Sequence, residues 1–494
     1  MAKSKRPGPG ATCLGVVKHP AIGIRVPEIL LPGILAAYNR RNVAGGLMLS
    51  FGRETAPEKV INAKPGKWEI TRGHTGTSIK RYQSMGAKAA QKAGVTVEIE
   101  ADHLIIIGSA TAAVQRIAGY HAQSHISEAE LQASLAYNKM AIDEAAKVGV
   151  VGCFTTDTSD LFWLEADKLS PRKARKLFEE TLTPQQRRKI LARYRRPRQL
   201  KAAGGRAVSV TISPTQAMRL ALKFHRSLQI NGEVYSYCKQ ALGDREFSFE
   251  ISLDETADMT DPRETLFYLT EWKAMGLPCQ YFAPNVGFGK RADFTGDMAG
   301  LQRRVRQHHA IAQAVCGALL SIHSGSGTTP CSGKGPGTYE AILAGTGGEV
   351  KYKISGVYFE LLLEMLADLS TRNEGRKLYE RIFDEVYELL SKQIREGGPL
   401  AQPLLIAQMN RYEGAIRRSP GGKRGRKRDP RADFFRFNSY LALNLRDKRG
   451  KRYFRDALIA LVKDNDGFRT RFDAEVEVLT LRLIDGLDFA NNLG

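Results

Sequence analysis

The chain has 494 residues, 74 Lys and Arg against 52 Asp and Glu, a formal net charge of +22, 43% apolar positions and 47 glycines. That composition belongs to a folded protein with a sizeable core and excludes a disordered or fibrous chain; the length suits two to four domains of roughly 100 to 200 residues, or one barrel of about 250 residues carrying insertions. No window approaches the roughly 18 uninterrupted apolar residues of a membrane span, MAKSKRPGPG leads into no signal-type apolar run, and six cysteines without CxxC spacing exclude a zinc ribbon and a disulfide framework, so a soluble cytoplasmic protein in a reducing compartment is expected.

After an N-terminal segment (1–44), short apolar runs rich in β-formers recur, each closed by polar or glycine residues and followed by a helix-like stretch. Strands are predicted at Gly46 to Phe51 (GLMLSF), Val95 to Ala101 (VTVEIEA) and Val150 to Thr155 (VGCFTT). A basic helical insertion follows at about 166–210, with two helix starts, Ser170-Pro171 and Thr183-Pro184, that each pair an N-cap residue with Pro at the first helical position. Further strands are predicted at Phe247 to Leu253 (FSFEISL), Cys279 to Ala283 (CQYFA), Ala318 to His323 (ALLSIH) and Val350 to Ile354 (VKYKI). Alternation of strands and helices argues for βαβ units and a parallel sheet. Because no GxGxxG or GxxxxGK[ST] follows any strand, a (β/α)8 barrel over 45–397 is expected rather than a doubly wound nucleotide-binding sheet, its eighth strand being left to the N-terminal segment. The pattern becomes helical over 398–494, interrupted by the loop-like SPGGKRGRKRDP from Ser419 to Pro430.

The positive charge is concentrated. Fourteen Lys or Arg against two acids lie between Lys168 and Arg206, and eight against one between Arg417 and Arg431, so these segments carry +12 and +7 of the +22. Such an excess either holds nucleic acid or steers an anionic substrate, or it is a solvated helical face and a flexible basic loop. Neither segment shows the aromatic interleaving that stacks on single-stranded bases.

In a barrel of this type chemistry belongs at the C-terminal ends of the strands. There the sequence places Asp102-His103, the run from Asp157 to Asp160, Glu250 with Asp254-Glu255, and His323-Ser324-Gly325-Ser326-Gly327. Histidines and carboxylates at one mouth form a donor set for a divalent metal such as zinc or manganese. Each piece also has a plainer reading. Either histidine alone is an ordinary hydrogen-bonded residue; Asp157 and Asp160 cap the next helix as readily as they catalyse. Glu250, in mid-strand, is costly to bury unless a metal or a cation neutralises it. HSGSG cradles an oxyanion with its amides or is a simple turn. His308 lies on the apolar stripe of a helix starting after Asp297 and is expected in the core or behind the site.

The runs FEISLDETADMTDP (Phe249 to Pro262), FAPNVGFGKRADFTGD (Phe282 to Asp297), LSIHSGSG (Leu320 to Gly327) and YKISG (Tyr352 to Gly356) resemble the tagaturonate epimerase family, with RGHTGTS, EADH and TTDTSD in matching order upstream. The resemblance spans roughly 45–390 and is itself similar to the metal-dependent class II ketose aldolases. It implies a divalent ion (zinc, manganese or nickel) held by His103, Glu250 and His323, with Asp102 moving the proton. Lys351 stands where the resemblance leads one to expect a histidine, and Asn285 replaces a basic residue. The implied reaction interconverts keto-uronates of the fructuronate and tagaturonate type. These differ at a hydroxyl carbon β to the ketone, whose proton the carbonyl does not acidify, so a retro-aldol step followed by re-addition is expected. Asp102, Asp157 or Glu255 would take and return the hydroxyl proton. Asp254, Ser324, Gly325, Ser326, Lys290 and Lys353 are expected to contact the substrate, with Arg291 and Lys351 as further candidates for its carboxylate, each of these cations being otherwise an ordinary surface charge. The expected partner is a small anionic sugar acid and no membrane. The alternatives are an aldolase or isomerase of a phosphorylated ketose, whose phosphate the SGSG loop would suit, and a basic nucleic-acid-associated protein that keeps the barrel as a scaffold.

Overall fold

A computed structural model describes residues 8–117, 126–325, 327–418 and 428–493. Eight parallel strands close on themselves: β1 His19–Gly23, β2 Gly45–Phe51, β3 Thr96–Ile105, β4 Val151–Asp157, β5 Ser248–Leu253, β6 Tyr281–Pro284, β7 Leu319–His323 and β8 Val350–Ile354. Each pairs with the next, and β8 pairs with β1, with Lys351 opposite His19 and Lys353 opposite Ala21. Helices lie between consecutive strands, which makes the fold an α/β barrel of the TIM type. All seven predicted strands are present. The barrel nevertheless begins at His19 rather than at residue 45: the missing strand is HPAIG, and its proline, glycine and lack of alternation hide it from pattern reading.

Side chains on successive strand residues point to opposite faces. Val97, Ile99, Leu47, Phe249, Ile251, Leu320 and Ile322 face outward and belong to one continuous apolar core with the surrounding helices. The inward positions are polar or charged, including Glu98 and Glu100 on β3, Glu250 on β5, and Lys351 and Lys353 on β8, all buried. Lys351 Nζ bonds Glu100 and stands 3.1 Å from Glu250, while Lys353 Nζ lies 3.0 Å from Glu250 and 2.9 Å from Asp102. Glu100, Asp102, Glu250, Lys351 and Lys353 tolerate burial because they answer one another's charge, whereas Glu98, which faces no ammonium group at contact distance, has its carboxyl pushed up by burial. Room for them comes partly from Gly46, where a Cβ would stand 1.9 Å from Glu100 Oε1.

The basic insertion is only partly helical. Helices Pro171–Thr181 and Pro184–Arg193 start at the expected caps, Ser170 and Thr183, and an antiparallel hairpin follows, Arg198–Lys201 against Ala207–Val210. The C-terminal region is helical, and its last helix, Asp466–Gly486, packs on Pro27–Arg40 so closely that a Cβ on Gly33 would meet Asp473 O at 2.5 Å. Helices Pro403–Arg418 and Asp433–Asn438 come over the C-terminal mouth of the barrel. The basic loop between them, residues 419–427, lies outside the described residues. Among the described residues no helix is long and apolar enough to cross a membrane.

Candidate active site

A cavity of about 670 Å³ opens at the C-terminal ends of the strands, a size ordinary for a small-molecule site. Its wall includes Asp102, His103, Asp254, Glu255, Lys290, Arg291, His323, Ser324, Gly325 and Lys353. Most of the residues singled out from the sequence therefore meet in one place.

The Asp102-His103 pair reaches it through a backbone irregularity. Adjacent strand residues ordinarily face opposite ways, but the register of β3 shifts between Ala101 and Leu104 against β4, and His103 takes a left-handed φ of 57°. A bulge of this kind turns a second side chain toward the same face, at a backbone cost of about 1–3 kcal/mol. Asp102 accepts from Ser50 Oγ at 2.8 Å and from Lys353 Nζ at 2.9 Å. Burial works against its charge, but His103 and Lys353 outweigh burial and hold the carboxyl well below the usual range.

His103 and His323 stand with ring centroids 4.9 Å apart, and the Asp254 carboxylate faces both, 4.0 Å from His103 Nε2 and 3.1 Å from His323 Nδ1. Those two nitrogens are buried and make no hydrogen bond of good geometry. Donor atoms of His103, Asp254 and His323 all lie within 4.8 Å of one another. Two imidazole nitrogens and a carboxylate oxygen, converging on a cavity mouth, suit a divalent cation once the His323 ring has given up its second proton.

Glu250 lies on the other side of His323, its Oε1 2.6 Å from Nε2. Burial opposes its charge, while Lys353 and Lys351 overcome burial and keep it ionised. Its carboxylate is committed to that nitrogen and to two ammonium groups, so it orients the ring from behind, whereas Asp254, expected as a substrate contact, faces the free nitrogens. Desolvation lowers the affinity of His323 for a proton, but Asp254 reverses that and pushes the ring up to about 9.

Other expectations fall differently. Asp157 does not line the cavity; its Oδ1 accepts from Ser159 N at 2.9 Å and Ser159 Oγ at 2.6 Å, closing the turn after β4. Glu255 does line it and is paired with Arg53 at 3.0 Å. Lys353 Nζ is spent on Asp102, Glu250 and Thr155 rather than left for a substrate carboxylate. Lys351 sits beneath the cavity in the ion-paired interior, and Arg291 is buried against Glu360 at 2.8 Å. Ser326 lies outside the described residues. His308 is in the core, sharing a 2.8 Å hydrogen bond with Thr265, as its apolar stripe implies.

A family model described as tagaturonate epimerase matches residues 133–395. The chain belongs to the tagaturonate epimerase family. A family relative, the tagaturonate/fructuronate epimerase of Thermotoga maritima, is 26% identical over 239 residues, 48% of this chain and 46% of that protein, so the alignment spans about half the length of the curated relative. Crystal structures of the fructuronate-tagaturonate epimerase from Cohnella laeviribosi share the fold over 97% of this chain and 83% of theirs: the native form is 18% identical with a TM-score of 0.64, and a form with two glycerols is 17% identical with a TM-score of 0.65.

Several cavity residues escaped sequence reading. Arg53, just after β2, touches Ser50 at 3.2 Å, His103 Nδ1 at 3.1 Å and Glu255. Arg25 follows β1, the unseen strand, and pairs with Glu54 at 2.9 Å. Leu404, Gln408, Arg411, Asp433 and Phe437 come from the C-terminal helices that cover the mouth. Only FGRET, a charged run after a predicted strand, signalled any of these.

Proposed function

We propose that the protein is a metal-dependent epimerase of keto-uronates of the fructuronate and tagaturonate type. The observation that carries this reading, beside family membership, is the convergence of His103 Nε2, His323 Nδ1 and the Asp254 carboxylate on a barrel mouth where both nitrogens are otherwise unbonded. These three side chains are the proposed holders of a divalent zinc, manganese or nickel ion. Bound there, the ion would supply Lewis-acid polarisation of the substrate ketone and its neighbouring hydroxyl.

The chain's own groups do the rest. Glu250 accepts a hydrogen bond from His323 Nε2 and so fixes the tautomer that leaves Nδ1 free. Asp102 remains ionised across the working pH range and accepts the proton of the β-hydroxyl once that hydroxyl has been acidified. As the proton leaves, the oxygen lone pair forms the aldehyde carbonyl, the bond between the α and β carbons breaks, and its electrons pass to the ketone oxygen. The aldehyde turns, the bond re-forms on its other face, and Asp102 returns the proton to the new alkoxide. Glu255, tied to Arg53, is the second carboxylate within the cavity able to serve in that exchange. An anionic substrate would meet Lys290 on this wall, where Arg25, Arg53, Arg291, Lys353 and Arg411 are each already paired with a carboxylate. Lys290 and Ser324 are the proposed contacts for its carboxylate and hydroxyls. NMR of fructuronate mixed with metal-loaded protein tests the assignment: tagaturonate should accumulate, and should not when His323→Ala replaces the natural protein.

A further inference from the structure

The insertion between β4 and β5 holds charge that the fold does not use. Of its fourteen Lys and Arg, twelve are exposed, and the other two, Arg187 and Arg193, are half-buried. Arg193 is drawn inward by Glu271, which its Nε meets at 2.9 Å. Among the twelve, Lys176 faces Glu180 at 3.8 Å; the remaining eleven have no ion pair or side-chain hydrogen bond among the described residues. The first turns of both insertion helices, where an acid would gain from the helix dipole, contain none. The other basic run behaves differently, since Arg428 pairs with Asp384 at 2.9 Å and Arg431 with Glu364 at 3.3 Å.

The chemistry of the segment narrows its partner. Nine of the fourteen cations are Arg, whose planar guanidinium binds phosphate oxygens in pairs. The two aromatics of the segment, Phe178 and Tyr194, are both buried, so there is no platform on which unstacked bases could lie. No large apolar side chain is exposed on the insertion, so it offers no anchor for a protein interface core or a bilayer. What remains is a folded array of unpaired cations with nothing but charge to offer. We propose that this exposed basic segment, through Arg172, Arg175, Arg188, Arg195, Arg196 and Arg198, docks the phosphodiester backbone of a duplex nucleic acid without reading its bases.

Fluorescence anisotropy of a labelled duplex of about 20 base pairs with the full-length protein tests this. For about six phosphate contacts the double-logarithmic salt slope should be about −5, so affinity should fall roughly a thousandfold between about 50 and 200 mM salt. Converting the six arginines to Gln should weaken binding at least about tenfold and flatten the slope. A control variant with Lys64, Lys67, Lys88, Lys92, Lys147 and Lys448 converted to Gln loses the same net charge elsewhere and should bind within about twofold of the natural protein. The proposal is overturned if the natural protein fails to bind at the low-salt end, or if both variants weaken equally. It is overturned as well if poly-L-glutamate or phosphatidylserine vesicles displace the duplex as effectively as unlabelled duplex does.

Discussion

The barrel interior and the basic insertion both concentrate charge, but they handle it in opposite ways. Inside the barrel, Lys351 and Lys353 sit buried among Glu100, Asp102 and Glu250 at contact distance. On the insertion, eleven exposed cations make no ion pair among the described residues. Buried ions are costly and must be matched, so their positions are fixed by one another and can in turn fix a catalytic ring. Exposed ions cost little, are screened, and are free for a partner. The count of charges in a segment therefore says less than whether each one has already been answered within the fold.

Removing one interior cation should have the largest effect. Lys351→Met leaves Glu100 and Glu250 with a missing buried counter-ion and should cost about 3–5 kcal/mol of stability, read from urea denaturation of the metal-free protein. A loss under about 1 kcal/mol would mean that the interior charges are not interdependent. Asp102→Asn acts on the same network from the mouth. It should lower turnover by about 10²- to 10⁴-fold while the bound metal per chain stays unchanged, which separates proton transfer from metal holding.

A smaller effect follows from His323. Its ring titrates at about 9 in the metal-free protein, because Asp254 outweighs burial. The raised value means that the protonated ring stabilises the metal-free fold fully below the ordinary histidine range, and that this contribution fades as pH rises through about 9. Metal needs the ring neutral, so the apparent affinity should rise about tenfold per pH unit between about 7 and 9, with one proton released per metal bound; calorimetry in buffers of different ionisation enthalpy reads that proton. A pH-independent affinity would place the ion elsewhere. Least affected should be the insertion: its six Arg→Gln changes should each move stability by no more than about 0.5 kcal/mol and leave turnover untouched, which thermal melts and the epimerase assay would show.

Much of the fold was legible because seven strands are short apolar runs rich in β-formers and closed by polar or glycine residues, with clear alternation in VTVEIEA and FSFEISL. His19–Gly23 was not, since a strand built of HPAIG carries neither alternation nor β-branched density. Asp102, His103 and His323 were legible because each closes a recognisable strand. That Asp254 rather than Glu250 faces His103 Nε2 and His323 Nδ1 was not, because Glu250 is engaged by Lys351 and Lys353, which approach from β8 about a hundred residues away in sequence. Asp157 was ambiguous from sequence for a physical reason: an aspartate two residues before a serine closes a turn as readily as it lines a cavity, and here it does the former. Arg25 and the C-terminal side chains over the mouth reach the site only through tertiary packing.

The most direct test of the central claim is NMR of fructuronate incubated with two samples of the same protein, one metal-loaded and one stripped by chelator, with metal content measured in both. Tagaturonate should appear with the loaded sample, fail to appear with the stripped one, and return when a divalent ion is restored. Undiminished conversion by protein shown to be free of metal would contradict the claim, as would stoichiometric metal retained unchanged by the His103→Ala and His323→Ala variants.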